Sequence, residues 1–312
     1  MEKFLVTGGA GFIGSNICRK LVWQGCSVRV VDNLLTGKKG NLADVIDRVE
    51  FVEADMGDPD VARAAMKDID VVLHQGALPS VPRSVEDPAT THKHCIDATF
   101  TLLLAARDAR IKRFVYASSS SAYGDTPTLP KVETMPAQPL SPYAVGKLTG
   151  EYYCSVFSAV FGLETISLRY FNVFGPYQDP TSQYAAAIPA FVTAIMQDRP
   201  PTVFGDGQQS RDFTYIDNVV DANLLAARAK RTSGEVVNIA CGEAITVNKI
   251  IDLINELLGK RIQPIYTDPR PGDVKHSLAD ITAAKNLLGF KPRVSFRQGL
   301  QKAIEWYRVS LL

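Results

Sequence analysis

One short stretch near the start limits what this chain can fold into. Phe4-Leu5-Val6 is an apolar run that ends on Thr7-Gly8-Gly9-Ala10-Gly11-Phe12-Ile13-Gly14. Residues 12–24 then carry apolar side chains at helical spacing (Phe12, Ile13, Ile17, Leu21, Val22). A strand that turns through glycines into a helix leaves the first helical amides free to face an anion. Gly8, Gly11 and Gly14 permit a tight turn, close approach of a pyrophosphate, and close helix–strand packing. A glycine triplet alone is a weak signal, because glycines also make ordinary turns. It becomes strong when the next strand, Ser27 to Val31, stops at an acid, Asp32. A carboxylate there can accept from both ribose hydroxyls of NAD and repels a 2′-phosphate. Asn33, Leu34, Thr36 and Gly37 follow, with no arginine beside Asp32. The expected cofactor is therefore NAD rather than NADP. Phe12, Ile13, Asn33, Thr36 and Gly37 are expected in its wall, and Asp55 and Met56, closing the third strand, near the adenine.

The first half alternates strand and helix patterns. Strands are expected at Val49 to Val52, Ile69 to Leu73, Arg113 to Ala117 and Thr165 to Leu168, and helices from about 88 to 110 and 141 to 161. Strands separated by helices of this length imply right-handed crossovers and a parallel sheet covered on both faces. The second half is richer in Pro and Gly between 175 and 207, with helices expected at 185–197, 216–230, 246–258 and 295–309. The predicted fold class is α/β: a Rossmann-like doubly wound parallel sheet with a smaller mixed α/β substrate-binding domain. The division is 1–172 for the NAD-binding domain, with returns of the chain from about 212–240, and 173–312 for the smaller one.

The 312 residues are ample for a hydrophobic core. Lys and Arg number 34 against 33 Asp and Glu, which disfavours nucleic acid as a partner. Five cysteines without framework spacing read as reduced thiols, and no run approaches a membrane span. A cytoplasmic protein is expected.

Tyr143 and Lys147 stand at i, i+4 on a predicted helix, so the phenol and the ammonium share a face. A nearby cation favours the phenolate, which a free tyrosine reaches only near pH ~10. Alone, this pair is common by chance and reads as a solvated helix face. Ser118-Ser119-Ser120-Ser121-Ala122-Tyr123-Gly124 changes that, because it closes an apolar strand at the sheet edge where ligands bind. A hydroxyl there can relay a proton to Tyr143. Gln75 and Ala77 are expected in the NAD channel, and His74 as a packed strand-end histidine. Trp23 and Trp306 read as packing residues. The run Thr91-His92-Lys93-His94-Cys95 reads as a helix face rather than a metal site, and no metal is expected.

Taken together, TGGAGFIG, SSSSAYG, SPYAVGK, LRYFNVFGP (168–176), GDGQQSRDFTYIDN (205–218) and RPGDVKHSLAD (270–280) resemble the extended short-chain dehydrogenase/reductases, and within them the UDP-sugar 4-epimerases. The resemblance covers nearly the whole chain. It implies Ser119 as catalytic serine, Tyr143 as base and Lys147 as its lysine, with Tyr143, Lys147 and Tyr170 also on the cofactor. It implies that Ser120 and Ser121 bond the sugar, that Asn172 holds the substrate phosphates, and that Arg211 and Arg270 clamp the diphosphate. Asp273 falls near the uridine ribose. Where the family shows asparagines on the cofactor side, this chain has His92 to Cys95.

The resemblance also places a pocket gatekeeper at Ser277. A serine leaves room for an acetamido group where some relatives carry tyrosine. Ser80 and its neighbours to Ser84 look like the N-acetylhexosamine-accepting epimerases, as does the run 178–187. The implied activity is interconversion of UDP-GlcNAc with UDP-GalNAc, and of UDP-Glc with UDP-Gal, through a 4-keto intermediate. Ser120 and Ser121 replace the acids found in dehydrating relatives, which favours simple epimerisation. The rivals are a UDP-glucuronate 4-epimerase or decarboxylase of the same fold, and a catalytically silent NAD-binding regulator. The helices at 88–110 and 142–161 resemble those that form a homodimeric four-helix bundle.

Overall fold

Apolar residues along the central strands alternate at period two, which sends neighbours to opposite faces of one sheet. Phe4, Val6 and Val115 join a buried cluster with Ile17, Leu21 and Val219. Leu5, Phe114 and Tyr116 join a second with Leu102, Leu103 and Phe157. The structure is a computed structural model that describes residues 2–180, 186–269 and 275–310.

The first part of the chain runs β1 (Lys3–Thr7), α1 (Phe12–Trp23), β2 (Ser27–Asp32), β3 (Glu50–Glu53), α2 (Pro59–Ala65), β4 (Val71–His74), α3 (Val81–Glu86) and α4 (Pro88–His92). A π-helical segment (Lys93–Asp97) leads into α5 (Ala98–Asp108), then β5 (Arg113–Ser119), α6 (Pro142–Phe161) and β6 (Thr165–Tyr170). Next come β7 (Val173–Phe174), α7 (Ala187–Met196), β8 (Thr202–Phe204), β9 (Ser210–Asp212), β10 (Thr214–Tyr215) and α8 (Ile216–Ala227). The chain ends with β11 (Glu235–Ile239), β12 (Ala244–Thr246), α9 (Val247–Leu258), β13 (Ile265–Thr267), α10 (Thr282–Leu288) and α11 (Phe296–Ser310).

The main sheet has the order β11-β6-β5-β4-β1-β2-β3, with every pairing parallel. The chain crosses from one half of the sheet to the other between β3 and β4, so β1 and β4 flank the switch point. The remaining strands pair in twos: β7 with β10, β9 with β12 and β8 with β13. No described helix is long and apolar enough to cross a membrane.

The differences from the sequence reading are local. The helix expected over 88–110 is interrupted by the π segment. The short helices α2, α3 and α10 were not anticipated. Each is six or seven residues long, too short for a clear 3.6-residue period. Trp23 is 65% exposed and so is not a packing residue. Trp306 does pack on the core, while also reaching the cavity described next.

Candidate active site

At the switch point β1 turns into α1. Gly8 has φ +66°, and a Cβ there would lie 2.7 Å from Gly76. A Cβ on Gly14 would lie 2.2 Å from the Gly8 carbonyl oxygen. Gly11 caps α1 with no side-chain hydrogen bond, so no side chain covers the first amides. Gly8, Gly11, Phe12, Ile13 and Gly14 line a cavity of about 1240 Å³. Asp32, on its wall, accepts from the Ala10 and Leu34 amides at 2.9 and 2.8 Å, one on each oxygen. A carboxylate has further lone pairs to offer. Burial pushes the Asp32 carboxyl up, against the pull of those amides. A side-chain-free cradle at a helix start, with an acid at the next strand end, fits a dinucleotide, and these residues would hold one.

Asn33, Thr36, Gly37, Met56, Gln75, Ala77 and Tyr170 lie on the same wall. The Tyr170 hydroxyl sits 3.1 Å from Gln75 Oε1 and accepts from Asn223 Nδ2 at 2.8 Å. Asn223, from α8, was missed by the sequence reading. Its signal was an amide on an otherwise apolar helix face. His74 is wholly buried between Thr7 Oγ1 at 2.7 Å and Thr99 Oγ1 at 2.9 Å. Burial and the Lys147 charge lower its pKa to about 3.

The opposite end of the cavity carries the serines and α6. Ser141 caps α6 through the Ala144 amide at 3.2 Å, and Pro142 follows in its first turn. Gly146 and Gly150 let this helix lie close, since a Cβ would meet Cys95 Cβ at 2.9 Å and Tyr116 at 2.3 Å. That approach brings Tyr143 and Lys147 over the end of β5. Lys147 Nζ donates to the Ala117 carbonyl at 2.7 Å and lies 6.0 Å from the Tyr143 ring centroid. Ser119 contacts the Tyr143 hydroxyl and accepts from Ser121 Oγ at 2.9 Å. Burial pushes the Tyr143 phenol up, followed by the Cys95 thiol, while the Ser119 contact acts the other way. In this structure the Lys147 cation therefore does not by itself bring Tyr143 toward phenolate, contrary to the expectation from spacing. Burial also lowers Lys147.

Ser119, Ser120, Ser121, Tyr143, Lys147, Asn172, Arg211 and Ser277 all line the cavity. Asn172, at φ +34°, donates to the Asp212 carbonyl at 3.1 Å. Two predicted residues are engaged elsewhere and do not line it. Asp55 accepts from the Gly57 amide at 2.9 Å and pairs with Lys93 at 3.4 Å, and Ser80 caps α3. Arg270 and Asp273 lie outside the described residues, as does part of the run 178–187. Among the described residues no group of three or more His, Cys, Asp and Glu is placed to hold a metal.

The sequence reading also missed an apolar wall near the serines. Val81, Val85 and Leu140 line the cavity although they are 42, 65 and 63% exposed. A second missed feature is a strap over α1. Asn16 donates to the Pro176 carbonyl at 3.1 Å, Arg19 lies 3.7 Å over the Tyr177 ring, and Lys38 meets Asp179 at 2.6 Å.

Residues 4–240 match the model of the NAD dependent epimerase/dehydratase family. The chain is 40% identical to a putative UDP-glucose 4-epimerase of Methanocaldococcus jannaschii, over 97% of this chain and 98% of that one. It is similar to a UDP-N-acetylglucosamine 4-epimerase from Methanobrevibacter ruminantium, solved with UDP-N-acetylmuramic acid: TM-score 0.95, 40% identity, 100 and 99% of the two chains covered. It is also similar to the UDP-glucose 4-epimerase of Thermotoga maritima with UDP-glucose: TM-score 0.95, 38% identity, 99 and 100% covered.

Proposed function

The chain belongs to the NAD dependent epimerase/dehydratase family, and on that premise we propose that it interconverts UDP-GlcNAc with UDP-GalNAc and UDP-Glc with UDP-Gal. It is an isomerase, an NAD-dependent UDP-sugar 4-epimerase. One observation carries the reading: Ser119, Tyr143 and Lys147 converge on the cavity that also holds the glycine cradle.

When bound, NAD supplies a reversible hydride acceptor for C4 and a positively charged ring whose field favours a phenolate. Tyr143 takes the O4 proton, directly or through Ser119, and later returns it to the same oxygen as C4 of the 4-keto sugar takes hydride back on its opposite face. Lys147 holds its charge against the Ala117 carbonyl and bonds the nicotinamide ribose. Asn172 and Arg211 hold the diphosphate, so the sugar ring is free to turn while its anchor stays put. Arginine suits a diphosphate because its fork matches paired oxygens. The reaction leaves no net redox change, so NAD stays bound between turnovers.

Ser277 and the apolar wall of Val81, Val85 and Leu140 support an acetamido substituent. The second reading, UDP-glucuronate, draws on the buried Lys131, which lines the cavity and whose ammonium donates to the Thr126 carbonyl. Two variants test these assignments. Tyr143→Phe should cut kcat by about 10²–10⁴-fold with UDP affinity intact, and near-normal turnover would refute the catalytic assignment. Ser277→Tyr should abolish the N-acetyl reactions selectively; equal loss on both sugar pairs refutes the gatekeeper. Incubation with UDP-glucuronate, with product separation, decides the second reading.

We further propose that the chain is a homodimer, and a cytosolic one, on the ground that five cysteines without framework spacing suit a reducing compartment. Val145, Tyr152, Val156 and Val160 form an exposed apolar stripe on α6, beside the 88–108 helix, that a four-helix bundle would cover. Light scattering that gives a monomer at micromolar concentration would refute this.

A further inference from the structure

Two buried cations stand behind Tyr143 and Ser119. Lys147 is 3% exposed and Arg169 is 4% exposed. A buried charge is costly unless it is paired. One carboxylate is bonded to Arg169 and lies within the field of Lys147. Glu151 lies one helical turn beyond Lys147 on α6 and takes Arg169 Nε at 2.8 Å and a second guanidinium nitrogen at 2.7 Å. Ser118 also donates to it. Ser118 and Arg169 are register partners across β5 and β6, and Ser119 is the next residue along β5.

The other groups facing Lys147 are Cys154 on its own helix, Cys95 from the π segment, His74 from β4, Tyr116 from β5, and Tyr143 one turn earlier. His74 is neutral, the Cys154 thiol is pushed up to about 12, and Tyr116 is held well above its usual range, each mainly by burial. Among these groups Glu151 is the one carboxylate; Arg169 also lies 4.5 Å over the Tyr123 ring and feels Glu133, whose carboxyl is pushed up by burial and which all the variants below retain.

We propose that Glu151 is a positioning residue for the reaction: its carboxylate, bonded to Arg169 and within the field of Lys147, offsets one of the two cations behind Tyr143 and pins the strand end that carries Ser119. The inference rests on the roles given above to Tyr143 and Lys147. Without the Glu151 charge two cations remain. Their field favours phenolate at Tyr143 and disfavours ammonium at Lys147, so both limbs of the pH–rate profile move to lower pH. Without the Arg169 charge the site holds one cation fewer, and both limbs move to higher pH.

The experiment is the pH dependence of kcat/KM for the holoenzyme and its Glu151→Gln, Arg169→Gln and Glu151→Asp variants. Glu151→Gln should shift both limbs down by about one pH unit, with UDP affinity unchanged. Arg169→Gln should shift them up, and Glu151→Asp should leave them in place. Lower kcat or Tm with unmoved limbs assigns the pair a structural role and overturns the proposal. If Glu151→Gln does not fold, the direction of the Arg169→Gln shift decides alone. Tyr143→Phe tests the underlying reading separately: loss of turnover there, with unmoved limbs in both charge variants, overturns only this inference.

Discussion

Replacing Gly150 with alanine sets two forces of opposite sign against each other. In an exposed helix interior the change stabilises by about 1 kcal/mol. Here the added Cβ would lie 2.3 Å from the Tyr116 Cζ and Oη atoms. Non-bonded carbons settle at about 3.5–4 Å, so something must retreat by about 1 Å or more. Tyr116 has no room to swing. It is fully buried, with the His74 ring centroid 5.6 Å from its own and Lys147 Nζ 5.0 Å away. The helix therefore moves. Overpacking of this kind costs about 1–3 kcal/mol, which offsets the helical gain of about 1 kcal/mol and leaves a net loss of up to about 2 kcal/mol. Activity suffers more. Lys147, one turn from Gly150 on the same helix, holds its Nζ 2.7 Å from the Ala117 carbonyl at the end of β5. A retreat of about 1 Å takes that bond beyond hydrogen-bonding range, and misplacement on this scale costs about 10²-fold in rate. Urea unfolding and steady-state epimerisation measure both effects. A Gly150→Ala protein with a higher unfolding midpoint and unchanged kcat would refute the close-approach argument.

Three further changes test the surrounding structure. Tyr116 Oη is buried with no hydrogen-bond partner among the described residues, so Tyr116→Phe should stabilise by about 1 kcal/mol; a comparable fall in Tm would mean that the hydroxyl is satisfied. His74 is buried and neutral, its folded pKa lowered by burial to about 3 from the ordinary histidine value of 6.5. The unfolded chain binds that proton first as pH falls, so this stability is present above the unfolded pKa and is lost below it, by about 2 kcal/mol from pH 7 to pH 5. His74→Gln should remove that loss in paired urea titrations, where groups common to both proteins, Asp212 among them, cancel; identical pH slopes would refute it. In Gly14→Ala the Cβ would press on the Gly8 carbonyl at 2.2 Å and Gly9 Cα at 2.7 Å, both backbone atoms. The purified variant should carry far less NAD than the parent by chromatography of released nucleotide, and equal content would sink the cradle argument.

What the sequence made legible follows from how local each signal is. The glycine turn, the period-two strands and the Tyr143–Lys147 spacing are each written within a dozen residues, and each marks the start or end of a main-sheet element. In a parallel sheet those ends lie at one edge, so locating Gly8, Asp32, Gln75 and Ser119 on their strands already gathers them into one crevice. The apolar wall could not be read this way. Val85 and Leu140 are apolar residues in short segments with no period, and only their placement beside the serines makes them part of the cavity. The π segment is equally silent in the sequence, because a one-residue widening of the helix leaves the apolar pattern nearly intact. The pair Glu151 and Arg169 shows the limit most clearly. Glu151 sits on a helix face where a solvated acid would be ordinary, and Arg169 interrupts an apolar strand. Each looks like an exception until α6 is packed across β5 and β6. The two charges then meet at 2.7 Å behind Ser118, and each supplies the partner whose absence would have made the other untenable.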